Sequence, residues 1–305
     1  MTRESNEKKA YFYAGVTVIF CSTVATAFKI GLGFLSPLQL VLVSSYISTL
    51  ILGIILIVQH KLHYVFKTRK GDIIQSALAG FLNPFLYYLI LFKAYSLLPA
   101  QVAQPLNMTW PLVLTFLSVP LLKQKIEAKS YLALFISFAG VLFISSQGEI
   151  INYRIKEPAG VFYALISTLV WSLFWIANLK DKRDEVTKLF MGFVFASFYI
   201  TILYLFIGKW SVFTTPGILA GIYIGAFEMG FSFVFWLLAL KYAKTTGFIS
   251  NLIYLSPFLS LIFIHYILGE QIYFTTFTGL ILIIAGIILQ KIRFKRKKYA
   301  QDLYN

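Results

Sequence analysis

Ten runs of about twenty apolar residues, joined by short polar loops, leave this chain few folds to choose from. They lie near 12–33, 38–59, 72–95, 100–121, 129–147, 158–179, 188–207, 217–240, 247–268 and 273–292. A helix of about 20 apolar residues spans the hydrocarbon of a bilayer. No water is available at that depth to satisfy the backbone, so runs of this kind must close their own hydrogen bonds as helices. With 59% hydrophobic and only 13% charged residues, and a mean hydropathy of +0.78, a water-soluble interior could not absorb so much apolar surface. The expected fold class is an all-α integral membrane protein with ten transmembrane helices. The multi-pass chain is expected in the cell membrane, with the first run kept as a helix because no small-residue cleavage site follows it.

The formal charge of +15 would suggest nucleic acid in a soluble protein. Here the basic residues sit in loops between apolar runs and set orientation instead, which argues against a nucleic-acid partner. Segments 1–11, 60–71, 122–128 with Lys129, 178–188, 241–246 and 291–298 hold 22 of the 27 lysines and arginines. Placing that set on the cytosolic side puts both termini inside. The lone cysteine, Cys21, excludes a disulfide framework and a thiol metal site. No GxxxxGKS loop, HExxH or catalytic pair of acids occurs, so no cofactor and no metal are expected, and the chain is not read as an enzyme.

A second pattern sits on top of the first. Shifted by about 146 residues, the stretch 89–143 overlies 235–290: Pro111 falls on Pro257, Ala139-Gly140 on Ala285-Gly286, and Lys123-Gln124 on Gly269-Glu270. The chain divides into a cytosolic tail (1–11), a first repeat (12–147), an outer linker (148–157), a second repeat (158–292) and a basic cytosolic tail (293–305). Five runs per repeat is an odd number, so the second repeat enters the membrane from the opposite side. Two inverted five-helix repeats, with both termini inside, are a common plan of secondary transporters.

The segment LALKYAKTTGFISNLIYLSPFLSLIFIHYILGEQI followed by GLILIIAGIIL resembles the second repeat of the drug/metabolite transporter superfamily, in its EamA branch of paired repeats. The likeness runs through nearly the whole chain. In the first repeat NMTWP, Asn107 to Pro111, is similar to a segment of the family's aromatic amino-acid exporters. The resemblance implies export of amino acids or related small metabolites without ATP hydrolysis. A carrier for nucleotide sugars or phosphorylated metabolites is the alternative within the same superfamily. Outside it, an intramembrane enzyme using Glu228 and His265 remains open.

Polar residues inside the runs mark candidate sites. Gln101, Gln104, Met108 and Pro111 recur at helical spacing with Asn107 beside them, and the matching face of the ninth run carries Ser250, Asn251, Tyr254 and Pro257. Lipid offers amides no hydrogen bonds, so these faces should turn toward each other, water or substrate. Equally, such residues can simply join helices. The first run has a stripe of Ser22, Thr26, Lys29 and Gly33, and the sixth one of Thr168, Trp171, Trp175 and Asn178. Lys29 can either meet a carboxylate or snorkel to the interface. The candidate substrate-binding set is Asn83, Tyr87, Gln104, Asn107, Trp110, Trp171, Trp175, Asn178, Asn251 and Tyr254. Glu228 lies about 11 residues into the eighth run, near the midplane, and Asn83 lies equally deep in the third. An acid at that depth is a candidate for proton coupling. The expected function is a secondary active exporter of small metabolites, amino acids first among them, working by alternating access with protons as a further partner.

Overall fold

The computed structural model describes residues 6–123, 128–149, 155–208, 212–243, 249 and 251–291. Residues 1–5, 124–127, 244–248 and 292–305, which carry part of the expected inner charge, lie outside these, as do Ser250, residues 209–211 and residues 150–154, half of the linker.

All secondary structure among the described residues is helical. The first repeat comprises α1 (Glu7–Phe34), α2 (Pro37–Val58), the short α3 (His63–Phe66), α4 (Lys70–Gly80), α5 (Tyr87–Leu97), α6 (Ala100–Asn107), α7 (Trp110–Leu122) and α8 (Ala128–Ser145). The second comprises α9 (Pro158–Lys180), α10 (Glu185–Ile207), α11 (Thr215–Tyr223), α12 (Ser232–Tyr242), α13 (Ser256–Leu268) and α14 (Phe274–Lys291). Among the described residues, each expected apolar run contains helix. Seven helical stretches are long and apolar enough to cross a membrane, and Ser130–Ser145, Leu252–Leu268 and Phe274–Gln290 are shorter apolar helices.

Local chemistry sets the ends. The first helix begins at Glu7, five residues before the expected start at 12, because Asn6 caps it: its side chain accepts from the Lys9 amide at 3.1 Å. Helix α2 starts at Ser36-Pro37, where Ser36 and Gln39 form a capping box and proline occupies the first turn. Helices α7 and α13 both end in a left-handed residue, Lys123 with φ 53° and Gly269 with φ 69°.

The expected runs three, four, eight and nine are interrupted. A π-helical segment, Phe81–Leu86, separates α4 from α5, and a second, Ile224–Phe231, separates α11 from α12. Asn83 is extended, with φ −144° and ψ 125°, as a residue preceding proline prefers. The fourth run breaks between Asn107 and Trp110, because Pro111 has no N–H to donate back to Asn107. The ninth run starts with a 3₁₀ turn, Leu252–Leu255, just before Pro257.

Packing between the repeats comes in matched pairs. Helix α1 lies against α12 and α13, while α9 lies against α5 and α7. Helix α2 meets α11 and the second π segment, while α10 meets α4 and the first. The pairs α2–α10 and α8–α14 close the arrangement. Two glycines permit the close approaches at the π segments: a Cβ on Gly80 would lie 2.1 Å from the Gly192 carbonyl oxygen, and one on Gly225 would lie 2.4 Å from that of Ser44. Large apolar side chains such as Phe135, Phe206 and Tyr266 cover the outside, as on a surface bathed in lipid.

Candidate substrate site

Each π segment carries one of the polar side chains singled out in the sequence, Asn83 on the first and Glu228 on the second. At the first, the break leaves Asn83 buried with neither amide atom hydrogen-bonded. A cavity of about 10 Å³, room for one water, is lined by Asn83, Phe174 and Asn178. At the second, Glu228 Oε1 accepts a hydrogen bond from Tyr88 Oη at 3.3 Å. No lysine or arginine pairs with this carboxylate among the described residues. The second π segment also releases backbone groups locally, and Ser232 Oγ donates to the Phe227 carbonyl.

From Tyr88 the chemistry continues into the first repeat. Its ring lies against Tyr87, with centroids 4.8 Å apart. Tyr87 Oη donates to Asn107 Oδ1 at 3.1 Å, and Asn107 Nδ2 donates to Ser167 Oγ at 2.9 Å. Asn107 is the last residue of α6, so the break before Pro111 delivers its amide between α5 and α9. Around this line stands an aromatic cluster. Trp171 lies 4.5 Å from Tyr87, and Trp110 stacks on Trp175 at 6.3 Å with 15° between the planes. The Trp175 indole N–H and Gln104 Oε1 are buried without a partner among the described residues. An unpaired indole N–H within an aromatic cluster suits a small amphipathic solute.

Of the expected set, Tyr87, Asn107, Trp110, Trp171 and Trp175 come together here, with Asn83 and Asn178 sharing the small cavity. Tyr254 is buried in the same hydrophobic core, whereas Asn251 is exposed. Sequence reasoning passed over Tyr88 and Ser167. Their partners lie 140 and 60 residues away, a separation no local spacing reveals.

Lys29 and Gln101 belong elsewhere. Lys29 Nζ donates to the carbonyl oxygens of Tyr95 and Leu98, both at 3.0 Å, at the end of α5. The Glu270 carboxylate accepts from the amides of Ala100 and Gln101 at 2.9 and 3.2 Å, capping α6. Gln101 Nε2 donates to the Gln271 carbonyl, and its Oε1 accepts from the Tyr273 amide. These contacts clip the α13–α14 loop onto the α5–α6 turn.

A second polar clasp closes the other end. Arg183 Nη2 donates to Asp181 Oδ2 at 2.5 Å and to Ser76 Oγ at 2.8 Å, tying the α9–α10 turn to α4. Lys188 Nζ donates to the carbonyls of Asn178 and Asp181. Lys61 at the end of α2 pairs with Asp184 at 2.5 Å. Burial alone would raise both carboxyls. The hydrogen bonds and charge of Arg183 outweigh it at Asp181, and those of Lys61 and Thr187 outweigh it at Asp184, so both are held below the ordinary carboxylate value.

Comparison with known proteins matches both halves of the chain. The pattern of the EamA-like transporter family matches residues 8–146 and again residues 158–290. A protein of Clostridium kluyveri named an uncharacterized transporter is 27% identical, over 97% of this chain and 96% of its own length. The uncharacterized transporter YoaV of Bacillus subtilis is 25% identical, over 89% and 93%. A solved structure titled only as the crystal structure of a protein superposes with a TM-score of 0.65 at 16% identity, covering 94% of this chain and 97% of the other, which speaks for the fold alone. With two successive family matches that together span nearly the whole helical bundle, this membrane protein belongs to the EamA-like transporter family.

Proposed function

We propose that the chain is a secondary active transporter that exports small metabolites, amino acids in the first place, by alternating access of two inverted five-helix repeats with both termini in the cytosol. The observation that carries this reading is the pair of π segments at Asn83 and Glu228, each held against the opposite repeat by a glycine, the second linked to the aromatic cluster through Tyr88 and Tyr87 and the first bordering it through Phe174. Matched breaks of this kind supply unpaired polar groups at the midplane, where such carriers bind their solutes. The substrate-binding set proposed is the one expected from sequence: Asn83, Tyr87, Gln104, Asn107, Trp110, Trp171, Trp175, Asn178, Asn251 and Tyr254. The indoles take an apolar side chain or an ammonium, and the amides take a carboxylate. An anionic nucleotide sugar or phosphorylated metabolite would need a cation at that depth. Lys29 is occupied by backbone carbonyls at the end of α5 instead.

Glu228 is assigned the coupling step. Without a cationic partner, its charge at the midplane is costly, so it binds a proton or a substrate ammonium in alternation. Proteoliposomes loaded with an amino-acid mixture test the whole reading. Saturable counterflow of one compound is expected, with uphill uptake on a pH gradient. Glu228→Gln is expected to abolish uphill movement while leaving downhill exchange. An ohmic current, or chemical conversion without movement, would overturn transport; a Glu228→Gln protein that still concentrates substrate would overturn the coupling role alone.

A further inference from the structure

A cavity of about 390 Å³ lies at the membrane surface between α3 and the α9–α10 turn, remote from the aromatic cluster in chemistry. We propose that it binds the phosphate headgroup of an anionic phospholipid.

The position requires no assignment of sides. Segment 59–69 joins two helices that are each long and apolar enough to cross the membrane, Pro37–Val58 and Lys70–Leu97, so it meets one bilayer surface or the other. Within it, α3 turns Phe66 and Tyr64 outward, 82% and 46% exposed, and the flanking Val58 and Ile74 are 70% and 71% exposed. Aromatic rings beside apolar flanks are what the headgroup layer selects.

The charges complete the match. Lys61, Lys67 and Arg183 line the cavity, with Tyr64 and Thr68 beside them. Two carboxylates, Asp72 and Asp184, face it as well, one fewer than the cations. Asp184 is bound by Lys61 and also accepts from the Thr187 amide, while Asp72 accepts from the Arg69 amide at 3.1 Å. Arg183 is matched to Asp181. That leaves Lys67 as a cavity cation with no carboxylate paired to it among the described residues, and Arg69 and Lys70 follow it in sequence. A phosphodiester supplies an anion for the excess positive charge and accepts from lysine and arginine donors together. Its acyl chains would run down beside Phe66, a contact that a free phosphate ion cannot make.

Thermal unfolding of the full chain in a neutral detergent tests the site with three additives: phosphatidylglycerol, phosphatidylcholine and inorganic phosphate. Phosphatidylglycerol is expected to raise the midpoint by about 5 °C over phosphatidylcholine by mass action on the folded state. Lys67→Gln, at an exposed position, should fold normally and lose most of that difference. Lys241→Gln, an exposed lysine on α12, should keep it. Equal midpoints with the two lipids, or a Lys67→Gln protein as selective as its parent, would overturn the site. A shift reproduced by inorganic phosphate alone would overturn the lipid as its occupant.

Discussion

Ser137 Oγ donates to the Ile283 carbonyl at 3.3 Å across 146 residues, the same interval that lays Pro111 over Pro257. The two residues are each other's counterparts in the repeats, and they meet where α8 packs along α14. Around them the contacts come in twins. A Cβ on Gly140 would lie 2.6 Å from the Gly279 carbonyl oxygen, and one on Gly286 would lie 2.7 Å from that of Ala133 and 2.1 Å from Ser137 Oγ. Gly286→Ala is therefore expected to lower thermal stability by about 1–3 kcal/mol through overpacking. Gly15→Ala, where nothing lies within 4 Å of the added Cβ, should be neutral or raise it by up to about 1 kcal/mol. A melting series on the two variants checks the contrast.

Lys123 is a lysine doing what glycine does at the matching helix end, Gly269. A non-glycine residue in the left-handed region costs roughly 1–2 kcal/mol. Lys123→Gly should raise the unfolding midpoint, and Gly269→Ala should lower it. A Lys123→Gly protein that melts below its parent would contradict the strain assigned to φ 53°.

The clasp at the α9–α10 turn predicts a pH dependence with a definite sign. Because Asp181 and Asp184 are depressed in the folded chain, the stability they confer is fully present above the ordinary carboxylate pKa of about 4 and disappears as the pH falls through their lower folded values. Arg183→Met leaves the Asp181 carboxylate buried without its guanidinium, at a cost of up to about 3–5 kcal/mol near neutral pH. The double variant Arg183→Met with Asp181→Asn should recover much of it, and its melting point should respond less to acid than the parent's between about pH 5 and 3.

Within the aromatic cluster, Tyr87→Phe removes the donor to Asn107 Oδ1 at a cost of about 1 kcal/mol. If the cluster binds substrate, the half-saturation concentration for counterflow should rise about fivefold while the melting point moves little. An unchanged half-saturation value would take Tyr87 and Asn107 out of the binding set.

Sidedness can be read with single cysteines in a Cys21→Ala background. With both termini inside, Val212→Cys, 83% exposed in the α10–α11 connection, should react with an impermeant maleimide from outside, and Lys182→Cys should not. The reverse pattern would invert the proposed topology.

The helical plan was legible because apolar runs and cap residues are local: Ser36-Pro37 and Pro158 mark helix starts in the sequence itself. The kinks at Pro111 and Pro257 were legible for the same reason. The π segments were not, since an extra residue in a helical turn leaves the hydrophobic pattern almost unchanged. Of the aromatic cluster, Trp171 and Trp175 were singled out in the sequence by helical spacing, and Asn107 by the polar face it adjoins. The Tyr88–Glu228 bond and the Arg183–Ser76 bond join segments 140 and 107 residues apart, which only the folded chain brings within reach. Lys29 shows the opposite limit: spacing placed it on a polar stripe, and the tertiary structure gave its ammonium two carbonyls to hold.

Three of the helical runs are interrupted well inside their length, by Phe81–Leu86, by the step from Asn107 to Trp110 and by Ile224–Phe231. An ordinary membrane helix frays at its ends and is tightest at its centre. Here backbone ladder bonds are missing or re-routed near the centre, so isotope exchange at amide protons should show the reverse profile along these runs: slow flanks and a leaky waist. α9 and α10, which carry no such breaks, should stay slow throughout and act as the rigid staves against which the waist bends.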